Sequence, residues 1–231
     1  MTDASPVERL QTGINGFDDV AMGGLPAGRP TLVGGTTGSG KTLFAIEFLA
    51  RGILRSGEPG IFVSFEETAQ DIRRNCASFG FPIAHWEQAG QWAFIDASDK
   101  LDEEASVIGA YDLGALVARI QHAVRLGARR VCIDSLSAVF SRFAGGAIAR
   151  QEMHRIAAAL AELGVTSIIT AERAHEYGGL SVVSHHMGGA IGPSGGRCRA
   201  RVVLALWCAG DLAPGVLRHC AGHGLRARGS R

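Results

Sequence analysis

The chain of 231 residues has no run of about 18 apolar residues, so no membrane-spanning helix is expected. Its N-terminus, MTDASPVERL, carries acids and no apolar core segment, which excludes a secretory signal and points to the cytoplasm. The five cysteines form no C-x-x-C pair, so neither a disulfide framework nor a zinc ribbon is indicated. His219, Cys220 and His223 lie close together, but the second ligand pair of a regular zinc site is missing. Lysine is nearly absent, with only Lys41 and Lys100.

Charge is scarce in one region and unbalanced overall. Residues 1–177 hold 16 basic and 21 acidic groups, whereas residues 178–231 hold seven arginines and a single acid, Asp211. An acidic body argues against nucleic-acid binding as the main role. With 46% hydrophobic residues, the length suits one α/β domain with a substantial core.

Short apolar runs alternate with helical patterns, the signature of βα units around a mostly parallel sheet. Strands are predicted at Thr31–Gly34, Ile61–Phe65, Ala93–Ala97, Val131–Ile133 and Val165–Thr170. Helices are predicted over Lys41–Arg55, from a Thr68 cap with Asp71 as its box partner to near Gly80, around Leu113, Leu116, Val117, Ile120 and Val124, and over Ile148–Leu163. Trp86 and Trp92 are expected to pack beside a loop. From Gly178 onward twelve glycines interrupt the pattern and only Arg201–Trp207 reads as an element. The expected division is an α/β domain over residues 1–178 and a divergent Gly/Arg-rich tail over 179–231.

Gly35–Thr42 fits G-x-x-x-x-G-K-[ST]. Glycines let backbone N–H groups wrap a polyphosphate, and the following helix aims its N-terminus at the same anion. Thr37, Gly38, Ser39, Gly40, Lys41, Thr42 and Leu43 are the expected nucleotide-binding residues, with Lys41 neutralising phosphate charge and Thr42 offering a hydroxyl to Mg²⁺. With 32 glycines but two lysines, the pattern arises by accident in well under ~1% of chains of this composition. One of the two lysines sits in it.

Asp134 ends an apolar strand, where it reads either as an aspartate capping a turn through Ser135 or, favoured by the P-loop upstream, as a Walker B aspartate that would hold Mg²⁺ directly or through water. Glu66 and Glu67 follow another strand directly. On spacing alone they read either as a solvated acidic turn favoured by the next helix's dipole or as carboxylates that prepare an attacking water. Like charges side by side raise the pKa of one of them. Ser135 lies near the same edge.

Four stretches, Thr12–Thr42, Gly57–Phe81, Ala128–Phe140 and Ile169–Gly178, resemble the RecA-like P-loop ATPases of the KaiC family known from circadian clocks, and most of all the N-terminal of that family's two tandem domains. The carrying motifs are G-F-D…G-G-L-P-x-G, the P-loop and F-E-E-T. The resemblance implies a three-layer α/β/α sandwich with a mostly parallel twisted sheet. It implies slow, Mg²⁺-dependent ATP hydrolysis between subunits of a homo-oligomeric, normally hexameric, ring, with clock or signalling proteins as partners. It makes Glu66 and Glu67 catalytic and places Ser78 near the nucleotide. Arg173, in the family's E-R pair, reads either as a residue that senses phosphate or pairs across an interface, or as a plain surface salt bridge. One such repeat is present, so the family's autokinase and phosphorylation sites are expected to be absent. Leu225–Ser230 only faintly resembles the segment by which the family reaches a neighbour's phosphates. Two other readings stay open: an ATP-dependent assembly scaffold with little hydrolysis, and a recombinase-like DNA binder using the arginine-rich tail.

Overall fold

The computed structural model describes residues 8–35, 37–97, 113–137, 146–172, 189–191, 217–220 and 223–227. Six strands form the main sheet: β3 (Pro30–Gly35), β4 (Gly60–Ser64), β5 (Trp92–Asp96), β6 (Arg130–Asp134), β7 (Thr166–Glu172) and β8 (Gly189–Ile191). They run in the order β5-β4-β6-β7-β3-β8, and every pairing is parallel. Every residue of β3, β4 and β6 is buried, as expected of strands covered on both faces.

The two faces sort by alternation. Val33, Phe62, Cys132 and Ile168 face α2 (Lys41–Ser56), meeting Phe44, Phe48, Leu49 and Ile53. On that side α3 (Ala69–Ala77) and α4 (Ile83–Gln88) add Ile72, Cys76, Ile83 and Trp86. Leu32, Ile61, Val63, Val131, Ile133 and Ile169 face the other way, onto Leu116 and Ile120 of α5 (Leu113–Arg125) and Ile156 and Leu160 of α6 (Gly146–Glu162). The result is the expected three-layer α/β/α sandwich. Each large side chain so buried contributes about 1.5–3 kcal/mol. Among the described residues no helix is long and apolar enough to cross a membrane.

The predicted helices and strands are all present within a few residues. Thr68 caps α3, accepting from Asp71 N at 3.2 Å and donating to Asp71 Oδ2 at 2.8 Å. Trp86 on the short helix α4 and Trp92 at the start of β5 flank a loop and pack as expected, their rings stacked at 6.2 Å. Unforeseen are β1 (Arg9–Leu10), α1 (Phe17–Val20) and β2 (Leu25–Pro26). There Asp18 accepts from Thr12 N, Thr12 Oγ1 and Gly13 N at 2.7–2.9 Å, and Gly24, at φ 114°, has no room for a Cβ against the Leu10 carbonyl. Also unforeseen are β8, which adds a strand from beyond Gly178 to the main sheet, and the antiparallel pair β9 (Leu217–Cys220) and β10 (His223–Ala227). Arg173 and Arg201–Trp207 lie outside the described residues.

Arg130 opens β6 with 2% of its side chain exposed. Its guanidinium donates to Glu58 Oε2 (2.6 Å) and to the carbonyls of Phe48 (3.0 Å), Gln11 (3.0 Å) and Thr12 (3.3 Å). It also lies over the Phe48 ring at 4.7 Å. Gly52 is the contact that lets α2 approach, because a Cβ there would sit 2.4 Å from Arg130 Nε. Arg130→Leu is expected to lower unfolding free energy by about 3–5 kcal/mol in urea titration, since it orphans several acceptors at once. Gly52→Ala is expected to destabilise as well, against alanine's higher helix propensity; a more stable Gly52→Ala variant would refute this packing.

Candidate active site

The P-loop joins β3 to α2 at the carboxyl edge of the sheet. Gly38 and Gly40 take φ of 71° and 88°, the left-handed region, and a Cβ on either would meet nothing within 4 Å. They are glycine for conformation, and the space beside them is open. At Gly35 the reason is contact, because a Cβ would fall 2.3 Å from Ser39 Oγ. Gly40 is the N-cap of α2 and offers no side chain to the first-turn N–H groups, which are therefore available to an anion.

A cleft of about 560 Å³ opens there. Thr37, Gly38, Gly40, Lys41, Thr42 and Leu43 line one side, Glu66, Glu67 and Ser78 the other, and Asp134 the floor. All predicted site residues but one thus share one cavity. The exception is Ser39, whose side chain is 5% exposed and does not line the cleft; its hydroxyl is buried without a partner beneath the loop.

Parallel register explains why distant residues converge. Ser64 pairs with Asp134, so β4 and β6 end side by side and Phe65 N donates to Asp134 O at 2.8 Å. Thr42 Oγ1 donates to Asp134 Oδ2 at 2.7 Å, across 92 residues of sequence. Thr170 of β7 donates its hydroxyl to the other oxygen, Oδ1. Asp134 is thereby fixed in rotation with both oxygens engaged, and its side chain points at the start of α2. The Asp134–Ser135 peptide is cis.

The two glutamates are held differently. Ser64 Oγ donates to Glu67 O at 2.5 Å and accepts from Glu67 N at 3.2 Å, a hydroxyl-closed turn that stops β4 and aims the pair into the cleft. Glu66 is exposed, and Oε1 accepts from Ser135 Oγ. Glu67 is half-buried, and Oε2 accepts from Asn75 Nδ2 at 3.3 Å. Burial pushes the Glu67 carboxyl above its ordinary pKa, reinforced by the Asp134 charge, opposed by the Asn75 hydrogen bond, with Asp71 and Glu66 adding least. Repulsion from Glu66 is therefore a real but minor cause. Burial, aided by Glu67, also pushes the Cys76 thiol up to about 11, so it lines the cleft as an uncharged group.

Ser78 is the C-cap of α3 and lines the cleft, but its hydroxyl donates to Asn75 O at 2.6 Å, so its oxygen faces outward only as an acceptor. Residues not anticipated from sequence are Thr170, Asn75 and the apolar Ile46, Ile72 and Phe79. The Thr68 cap carried a usable signal, since Ile72, Asn75, Cys76 and Phe79 follow it at helical spacing on one face.

Among the described residues that line the cleft, the charge is one cation, Lys41, against Glu66, Glu67 and Asp134. Among the described residues no group of three or more His, Cys, Asp or Glu could cage a metal. A hydroxyl and one carboxylate beside an anion cradle is instead the donor set that suits Mg²⁺, which keeps its waters and shares phosphate oxygens. The residues fit Mg²⁺ with a bound triphosphate.

Residues 10–191 match the family model described as ATPase: KaiC. Over 176 residues the chain is 53% identical to circadian clock protein KaiC3 of Synechocystis sp., covering 76% of this chain and 35% of that protein. Over 173 residues it is 47% identical to circadian clock oscillator protein KaiC of Synechococcus elongatus, covering 74% of this chain and 33% of that protein. The chain thus aligns with about a third of the length of these relatives.

Because the folded-state pKa of Glu67 is raised, the native protein gives up stability as pH rises through the ordinary glutamate range and on to that higher value. Glu67→Gln is therefore expected to raise Tm at pH 7 in the absence of nucleotide, with the gain vanishing below about pH 4, where both states are protonated. Thermal melts of both proteins from pH 3.5 to 8 check this, and a variant less stable at pH 7 would contradict it.

Proposed function

The chain belongs to the KaiC ATPase family, with its RecA-like P-loop fold, and on that premise we propose that it binds Mg-ATP in the P-loop cleft and hydrolyses it slowly to ADP and phosphate. The observation that carries this reading is the 2.7 Å Thr42–Asp134 hydrogen bond, which joins the two groups expected to organise Mg²⁺ directly opposite a carboxylate pair.

The N–H groups of Gly38–Thr42 wrap the phosphates, and Lys41 sets a point charge against the outer ones. Leu43 and Ser78 border the bound nucleotide, and Ser39 contributes its backbone. Thr42 and Asp134 would hold Mg²⁺, which would supply charge neutralisation at the phosphates. Glu67 orients the attacking water and takes its proton; the oxygen–phosphorus bond to ADP breaks as the new one forms. Its raised pKa makes it a stronger base than an ordinary glutamate. Glu66, tied to Ser135, holds the turn after β6 in place and shapes the field around the base.

One lining cation against three carboxylates favours completion of the site by a basic group from a neighbouring subunit, as in arginine-finger ATPases. We therefore propose a ring-forming homo-oligomer, hexameric by family resemblance, residing in the cytoplasm. The names of the relatives support a role in clock-type timing or signalling with protein partners. The same charge balance supports a second reading, a nucleotide-dependent assembly scaffold that turns over little ATP.

Phosphate release from Mg-ATP, measured against protein concentration with Lys41→Ala as blank, decides between them. The ATPase reading expects release at least tenfold above the blank, rising faster than linearly as subunits assemble. Nucleotide binding with no release above the blank, from folded protein, overturns hydrolysis and leaves the scaffold.

A further inference from the structure

The position of Asn75 is unusual for a residue with no part in the phosphate cradle. It lies on the cleft-facing side of α3, one turn beyond buried Ile72 and beside buried Cys76. Its side-chain amide reaches back eight residues to Glu67 Oε2. Its own carbonyl accepts from Ser78 Oγ, which braces the end of the helix against the same wall. The Glu67 main chain is fixed independently by Ser64. A glutamate side chain still has three rotatable bonds, and these two restraints act on opposite ends of it.

We propose that Asn75 is a positioning residue for ATP hydrolysis, holding Glu67 Oε2 so that Oε1 is presented to the attacking water. The contact has a chemical sense as well as a geometric one. An amide N–H favours the ionised carboxylate, the form that accepts a proton, in a setting where burial and the Asp134 charge oppose ionisation. An amide is also the neutral donor for this work: an arginine or lysine there would pair with the carboxylate and blunt it as a base. Asn75 touches neither the phosphate cradle nor the Thr42–Asp134 pair, so its effect belongs to the chemical step rather than to nucleotide affinity.

The proposal rests on the hydrolytic reading above. Its test is steady-state phosphate release by Asn75→Leu, Asn75→Gln, Glu67→Gln and the Glu67→Gln/Asn75→Leu double variant, each shown folded by circular dichroism. Asn75→Leu is expected to lower kcat about tenfold with KM for ATP within about twofold, and Asn75→Gln to recover part of the loss. In the Glu67→Gln background the leucine substitution is expected to cost less than about twofold, because there is no carboxylate left to position. An unchanged kcat, a change confined to KM, or full additivity with Glu67→Gln overturns the proposal while the ATPase reading stands. A wild type that releases no phosphate overturns both.

Discussion

At the start of β6 one guanidinium reaches four oxygens on three separate segments: the N-terminal strand region at Gln11 and Thr12, the middle of α2 at Phe48, and the α2–β4 turn at Glu58. Arg130 lies at the opposite end of the sheet from the cleft, yet it sets the cleft's geometry. It pins the middle and far end of α2 to the beginning of β6. From Thr42 to Gly52 the helix advances about 15 Å, and from Arg130 to Asp134 the strand advances about 13 Å. The two lengths match, so a helix anchored at Arg130 delivers its first turn to Asp134. A Cβ at Gly52 would fall 2.4 Å from Arg130 Nε, so glycine is what lets the helix lie this close to the guanidinium. Burying a charge is costly, and here the cost is offset by complete satisfaction of the fork and by the Phe48 ring beneath it.

The cleft then follows from parallelism. Because the six strands point the same way, their carboxyl ends fall on one edge, and polar residues at or near those ends meet there: Ser64, Asp134 and, two residues before the end of β7, Thr170. A sheet with one reversed inner strand would have sent one of these to the far side. What the edge collects is mostly acidic, and among the described residues lining the cleft Lys41 is the one base.

The alternating hydrophobic pattern made the layers legible in the sequence, because buried parallel strands and amphipathic helices impose distinct periods. The phosphate cradle was legible too, since no other residue order supplies its glycines and lysine. What escaped notice lacked periodicity. Residues 9–26 fold through Asp18 capping the backbone of Thr12 and Gly13 and through glycines chosen for close approach, signals that look like ordinary loop composition. The G-F-D and G-G-L-P stretches, informative as a family mark, are thus seen to be fold-building rather than chemical. Thr170 and Asn75 reach the cleft only through tertiary register and helix phase, and Ser39 turns inward because a small loop must bury something at its centre. The short strand β8 lay in glycine-rich sequence where neither period could show.

Strand β3 carries the P-loop, yet both of its neighbours, β7 and β8, come from much later in the chain. Pro30 waits for Ser167. On a ribosome adding about 5–20 residues per second, that interval is on the order of ten seconds, during which an apolar strand with two open edges has no partner in its own sheet. Nascent chains of this kind are candidates for chaperone capture. The topology therefore orders assembly: β3, and with it the loop that leads into α2, gains no strand partner in its sheet until β7 has been synthesised.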